Sequence, residues 1–317
     1  MRDFIYKLPP LFLKKLKKLY PSLYPQICVT FLGRKQHTFR INYLKTDLKN
    51  LRKALQKERI RNRELSWPSG SFILKVDLRL LQKSTLYQEG VVYVQNVSSM
   101  IPVIVMNPQT NEKILDMCAA PGAKTTQIVS LTQGSVTLVA LEKIRVRYYK
   151  LLANLKIQGV SSVKTYLLDG VWVRKKFYEY FDKILLDAPC SCEGLFYVNN
   201  PRSFSYWKER KVKEMKHKQK KLLASALYAL KEGGELVYST CTFSPEENEE
   251  VIDWALEKFK PNLAIIPITI PLKNCLRGLT QWDGKRFSSA LKGTLRIIPN
   301  DYMEGFFIAK LKKIAAI

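Results

Sequence analysis

The sequence predicts an α/β chain: a Rossmann-like, mostly parallel sheet preceded by a smaller, basic amino-terminal α/β domain. Three observations carry that expectation. From about residue 93, short apolar runs alternate with helical stretches, the pattern of parallel strands joined by crossovers. Each of five such runs is followed by small, acidic or thiol residues, at the place where an open parallel sheet binds its ligands. Residues 1–65 hold 17 Lys or Arg against 4 Asp or Glu, a surplus of 13 within a net charge of +26.

The elements follow in order. Residues 1–92 are expected to form the accessory domain and residues 93–317 the catalytic one. Gln26–Leu32 and Thr38–Tyr43 are strand candidates. Asp47–Arg63 has helical character and carries Arg52, Lys53, Lys57, Arg59, Arg61 and Arg63, before Trp67, Pro68 and Gly70 break the pattern. Lys113–Met117 is the first strand of the larger sheet and Ser135–Leu141 the second, closed by Glu142. Tyr148, Leu151, Leu152 and Leu155 recur at i, i+3, i+4 and i+7, a helix that stops at Gly159. Val163–Leu168 and Lys183–Leu186 are the third and fourth strands, followed by Asp169 and Asp187. A lysine-rich helix is expected over Tyr206–Lys231, after which Gly233-Gly234 turns the chain into Glu235–Ser239. Ser244-Pro245-Glu246-Glu247 has the form of a capping box at the start of the next helix. Thr294–Ile298 and Gly305–Lys310 read as two strands near an antiparallel edge.

Hydrophobic residues at 46% and charged residues at 25% describe an ordinary globular protein. No apolar run approaches the ~20 residues that span a bilayer. The start, MRDFIYKLPPLFLKKLKKLY, lacks the apolar core and cleavage site of a signal peptide. A cytoplasmic monomer with no membrane association is expected. The basic surplus suits a polyanion, because neutralised phosphates release condensed counterions. A generally basic proteome, or an anionic membrane surface under the amphipathic stretch Phe12–Tyr20, is the other reading. Six cysteines, at 28, 118, 190, 192, 241 and 275, include no CxxC pair, and only His37 and His217 accompany them, so no metal site is expected. A cytoplasmic setting argues against disulfides. The thiols are left as core filler or as chemistry.

The residues after the strands are Cys118–Lys124, Glu142, Asp169, Asp187–Cys190 and Cys241. The first of these turns, Cys118-Ala119-Ala120-Pro121-Gly122-Ala123-Lys124, has no GxGxxG fingerprint, but its small residues let the backbone approach a ligand closely. Glu142 stands where a carboxylate can accept hydrogen bonds from a ribose diol. The combination fits an adenosine cofactor; a tight turn with a helix cap is the plainer alternative. Taken singly, Cys190 and Cys241 fit buried filler. Paired on two loops, one with Asp187 and the other ahead of a helix amino terminus that favours thiolate, they point to chemistry.

Several segments resemble the Sun/Nop family of RNA (cytosine-5) methyltransferases, which have the class I methyltransferase fold. They are Asp116 to Thr125 (DMCAAPGAKT), Asp187-Ala-Pro-Cys190, Tyr238-Ser-Thr-Cys-Thr242 and Pro245-Glu-Glu-Asn248. Arg40-Ile-Asn42, Tyr93-Val-Gln95 with Ser98-Ser99, Arg296-Ile-Ile-Pro299 and Gly305-Phe-Phe307 extend the likeness over most of the chain. The resemblance implies S-adenosyl-L-methionine as cofactor and RNA as substrate, with ribosomal RNA preferred over transfer RNA and the basic domain as its docking surface. It implies that Cys241 adds to carbon 6 of cytosine, making carbon 5 nucleophilic. Cys190 would assist product release, Asp187 would hold the cytosine edge and Lys124 would lie close to it. Cys118, Ala119, Ala120, Pro121, Gly122, Ala123, Lys124, Glu142, Arg147, Asp169 and Asp187 match the family's cofactor contacts. Three positions depart from its pattern: Cys192 where glycine is usual, Glu142 for aspartate, and Asn300 for a frequent histidine. DNA cytosine-5 methyltransferases attack with the Pro-Cys thiol, so Cys190 is the competing nucleophile. A non-catalytic RNA-binding assembly factor is the competing function. Lys208–Lys221 reads equally as a second RNA contact or a solvated face.

Overall fold

A computed structural model of the chain describes Ile5 and residues 7–317. Residues 1–4 and Tyr6, part of the stretch considered above as a signal peptide, lie outside the described residues. The smaller sheet contains β1 (Thr38–Ile41), β2 (Asn62–Glu64), β3 (Ser71–Leu74) and β4 (Val92–Val94), in the antiparallel order β2-β3-β1-β4. Phe39, Ile41, Leu51, Leu55, Phe72, Leu74 and Val92 form its own core. A boundary after residue 92 therefore passes through β4.

The larger sheet has nine strands: β5 (Lys113–Asp116), β6 (Thr137–Glu142), β7 (Lys164–Leu167), β8 (Phe181–Asp187), β9 (Leu230–Thr240), β10 (Leu263–Ile266), β11 (Cys275–Arg277), β12 (Leu295–Ile297) and β13 (Phe306–Lys313). They run in the order β11-β12-β13-β9-β8-β5-β6-β7, with β10 also on β13. β5 to β9 are mutually parallel, and β13 pairs antiparallel with β9. The chain leaves β5 towards β7 on one side and resumes at β8 on the other, so the β5–β8 boundary is the topological switch point. The central strands β5, β6 and β8 read as near-continuous apolar runs because both their faces are covered, whereas β7 at the edge is half-exposed. Leu115, Leu141, Ile184 and Leu186 enter one core; Ile114, Leu138, Ala140 and Leu185 enter the other.

Five expectations need correction. The strand expected at Gln26–Leu32 is part of a helix, Tyr24–Leu32, whose Ile27, Cys28 and Phe31 share one buried face. Its β-branched and aromatic content suggested extension; the i, i+1, i+4 spacing and a tertiary partner decided for helix. It packs with the helix Pro10–Leu19 against Phe196, Trp207 and Phe243 of the larger domain. Phe12, Leu13 and Leu16 are therefore buried in protein, which removes the membrane-surface reading of that stretch. The helix after Asp47 ends at Lys57, and Arg59 adopts φ 56° before β2 begins. The lysine-rich helix, Glu209–Ala229, ends earlier than expected, and β9 runs from Leu230 through Gly233-Gly234. The capping-box residues do something else, described below. No helix among the described residues is long and apolar enough to cross a membrane.

Candidate active site

Two adjoining cavities of about 410 and 380 Å³ open at the switch point, a size suited to small-molecule binding. Cys118, Ala120, Arg147, Asp187 and Cys241 line both. The first cavity continues to Glu142, Asp169 and Cys190; the second to Ala119, Pro121, Ala123 and Lys124. Tertiary structure thus brings together every residue singled out above except Gly122, which lies behind the turn. Gly122 has φ +107°, and a Cβ there would sit 3.1 Å from Leu151 Cδ1, so its contribution is to the backbone path.

The first turn is pinned to both neighbouring strands. Met117 N donates to Leu185 O at 2.9 Å, and Ala119 N donates to Leu141 O at 2.8 Å. Asp116 is buried; its Oδ2 accepts from Thr125 Oγ1 at 2.7 Å, while Oδ1 has no partner. Burial pushes this carboxyl up to about 6, against the opposing pull of Thr125. Arg147 donates to Ala120 O at 2.6 Å and lies 3.7 Å from Glu142 Oε2, whose other oxygen accepts from Ile144 N at 2.8 Å. Asp169 accepts from Val171 N at 3.2 Å and from Lys143 Nζ at 2.6 Å. Burial would raise the Asp169 carboxyl, but these hydrogen bonds outweigh it and hold the group below its ordinary value. Carboxylates for a diol, the apolar walls of Met117, Ile144 and Leu222, and the unpaired oxygen of Asp116 fit S-adenosylmethionine.

The smaller domain braces this turn. Arg40 Nη2 donates to Ala123 O at 3.0 Å and Thr126 Oγ1 at 2.8 Å, and its Nε donates to Gln95 Oε1 at 2.7 Å. Asn42 Nδ2 donates to Gly90 O and Gln158 O, each at 2.9 Å. Arg40-Ile-Asn42 is therefore a joint between the two sheets.

At the other end Cys190 Sγ lies 3.4 Å from Cys241 Sγ and 3.9 Å from Cys192 Sγ. Asp187 stands beside them, accepting from Lys124 Nζ and from Ser239 Oγ, both at 2.7 Å. Lys124 also donates to Ser99 Oγ at 2.7 Å. Two buried carboxyls tie the loops together. Glu193 accepts from Trp207 Nε1 (2.9 Å), Ser244 Oγ (2.7 Å), Thr242 Oγ1 (2.8 Å) and Phe243 N (3.1 Å). Glu247 accepts from Ser191 N and Gln219 Nε2, both at 2.9 Å, and burial pushes it up to about 8. Ser244 and Glu247 therefore join loops instead of capping a helix; the helix itself spans Glu249–Lys258.

The three sulfurs titrate together. Hydrogen bonds from Cys190 and then Cys241 hold Cys192 down, to about 3. Cys190 is pushed up by its hydrogen bonds to Cys192 and Cys241 and by burial. The Cys190 contact favours a Cys241 thiolate, but the Cys192 contact and burial together push Cys241 up. Burial raises Cys118 as well.

Sequence reasoning missed several residues. Tyr93, Gln95, Ser99, Glu304 and Phe306 line the second cavity, and Lys218 the first. Tyr93, Gln95 and Ser99 belong to segments that already carried the family likeness. Glu193, Glu304 and Lys218 had no local signal, and burial pushes Glu304 up to about 7. Within the Lys208–Lys221 run, Lys216 pairs with Glu250 at 2.7 Å and Lys220 sits 5.2 Å from the Trp254 ring, while Lys208, Lys211, Lys213 and Lys221 are exposed. Asn300 accepts from Tyr302 N at 3.0 Å and Met303 N at 2.8 Å, shaping a turn where the family often has histidine.

Residues 103–312 match the family model described as 16S rRNA methyltransferase RsmB/F. A tRNA (cytosine(49)-C(5))-methyltransferase of Pyrococcus abyssi is 38% identical over 87% of this chain and 88% of that protein. Ribosomal RNA small subunit methyltransferase F of Shewanella piezotolerans is 33% identical over 88% of this chain, which spans only 58% of that protein. The crystal structure of a methyltransferase homolog from Pyrococcus horikoshii superposes with a TM-score of 0.84 at 30% identity, covering 99% of each chain. The chain belongs to the RsmB/F family, the Sun/Nop group of S-adenosylmethionine-dependent RNA (cytosine-5) methyltransferases.

Proposed function

We propose that the chain methylates carbon 5 of a cytosine in RNA and that Cys241 is the covalent nucleophile. The observation that carries this is the pair of thiols 3.4 Å apart, beside an Asp187–Lys124 ion pair, at the boundary of the two cavities. S-adenosylmethionine, held by Cys118–Lys124, Glu142, Arg147, Asp169 and Asp187, supplies a methyl group on a sulfonium. Cys241 supplies what carbon 5 lacks: addition at carbon 6 makes it an enamine-like nucleophile. Asp187, its charge balanced by Lys124, holds the amino edge of the base. Once carbon 5 carries the methyl group, its proton is lost to water and the carbon 6–sulfur bond breaks; Cys190, pushed up and so retaining its proton, is placed to deliver it to the departing Cys241 sulfur. One chain contributes all these groups, so a monomer suffices.

Arg52, Lys53, Lys57, Arg59, Arg61 and Arg63 are exposed on the smaller domain and are the proposed RNA contact. A paired target must be extruded to reach the cavity, which favours loops or opened pairs. The family description and the Shewanella relative support ribosomal RNA as substrate. The Pyrococcus abyssi relative, matched along most of its length, supports transfer RNA. Bisulfite sequencing of total RNA from a deletion strain distinguishes them. For the chemistry, Cys241→Ala is expected to abolish covalent trapping on RNA containing 5-azacytidine and to lower turnover on the order of 1000-fold or more. Cys190→Ala is expected to leave a lingering adduct. Trapping that survives loss of Cys241 but not of Cys190 reverses the roles. Absence of S-adenosylmethionine binding in calorimetry would favour a scaffold.

A further inference from the structure

Cys192 takes no part in the reaction proposed above, yet its sulfur completes a cluster with the two that do. We propose that Cys190, Cys192 and Cys241 form a binding site for a thiophilic d10 cation, with Zn²⁺ as the type, and that occupancy holds the enzyme inactive.

Two independent observations support the site. The first is spacing. A cation about 2.3 Å from each of three sulfurs sets those sulfurs about 3.8–4.0 Å apart. Here the two shorter separations are 3.4 and 3.9 Å, and all three sulfurs lie within 4.8 Å of one another. The loops that carry them are already locked by Glu193 and Glu247, so small side-chain adjustments suffice. The second is backbone strain. Cys192 adopts φ 59°, ψ 30°, a left-handed conformation that disfavours a non-glycine residue and that explains why glycine is usual there. The chain carries a thiol at a position where its backbone favours no side chain, and that thiol points at two others.

The ligand class follows from the donors. Three thiolates select Zn²⁺ or Cu⁺ over Mg²⁺ or Ca²⁺, and a fourth coordination position is left for water or a substrate group. Coordination releases a proton from each ligand that still carries one, so binding strengthens as pH rises. A Cys241 sulfur committed to the cation cannot add to carbon 6. Binding depends only on the cluster; the inactivating role rests also on Cys241 being the nucleophile.

The test titrates the full-length wild type, Cys192→Gly and Cys192→Ser with Cd²⁺, following the cadmium–thiolate charge-transfer absorption, with Zn²⁺ as competitor. Glycine suits the left-handed backbone, and serine preserves size while replacing the soft donor. In parallel, methyl transfer by each protein is compared with and without Zn²⁺, each against its own chelator-treated rate. One ion per chain is expected, and both variants should bind at least about tenfold more weakly, with a matching rise in the Zn²⁺ concentration that half-inhibits methyl transfer. Equal affinity and absorption in all three proteins would overturn the site, whatever the activity shows. Cys192-dependent binding without inhibition would overturn the inactivating role and would separately count against Cys241 as nucleophile.

Discussion

The two ends of the paired cavities at the switch point are built in different ways. The turn at residues 116–124 is continuous in sequence and shaped by its backbone: amides bonded to β6 and β8, and a glycine at φ +107° where any side chain is strained. The thiol end joins two loops whose cysteines are 51 residues apart, held by the buried side chains of Glu193 and Glu247. One end depends on backbone conformation, the other on buried carboxyls that hydrogen-bond across the loops. The two should therefore fail differently when altered.

The largest effect is expected where the ends meet. Asp187→Asn removes the charge that faces Lys124, and turnover should fall about 100-fold or more with little change in stability. A drop confined to stability would show Asp187 to be a brace for the thiol loops. Next, Glu193→Ala leaves four donors without their acceptor, a loss of about 3 kcal/mol or more, read as a lower urea midpoint. S-adenosylmethionine affinity should hold at the opposite end. If affinity falls in step with stability, the two ends are one cooperative unit and the contrast is lost.

A third test uses pH. Glu247 has an ordinary value of 4.5 and is pushed up to about 8 by burial. Between those values the unfolded chain has released this proton and the folded chain still holds it. The folded state binds more protons, so stability falls as pH rises from about 4.5 to about 8, by about 1.4 kcal/mol per pH unit at most. Glu247→Gln should flatten that decline, and parallel urea-midpoint curves for the two proteins would refute the assignment. Asp116, pushed up to about 6, adds a smaller fall of the same sign between about 3.8 and 6, which the variant should retain. The smallest effect is expected from Gly122→Ala: about 1–2 kcal/mol of stability and a several-fold loss of cofactor affinity, with covalent trapping still Cys241-dependent. Unchanged cofactor affinity would show that the turn's path is set elsewhere.

Local chemistry made the first turn legible, since small residues, a glycine and a strand-end acid act over a few positions. The same holds for Asp187, Cys190 and Cys241, each next to its strand. The capping-box pattern at Ser244 misled because long-range partners claimed its hydroxyl, which donates to Glu193 and accepts from Lys15 instead of from the Glu247 amide. Gln26–Leu32 misled because a partner surface at Phe196 and Phe243 decided between helix and strand.

What sequence by itself determined was the succession of the five parallel strands along the chain, the residues at their carboxyl ends and the basic surplus of the first 65 positions. These depend on periodicity, on neighbours a few residues away, or on composition. Only the tertiary structure decided that Arg40 braces the turn at residues 116–124, that Glu193 and Glu247 lock two loops, and that Cys192 lies within 4.8 Å of Cys241. Those contacts link residues far apart in the chain, and sequence spacing carries no trace of a partner that folding brings near.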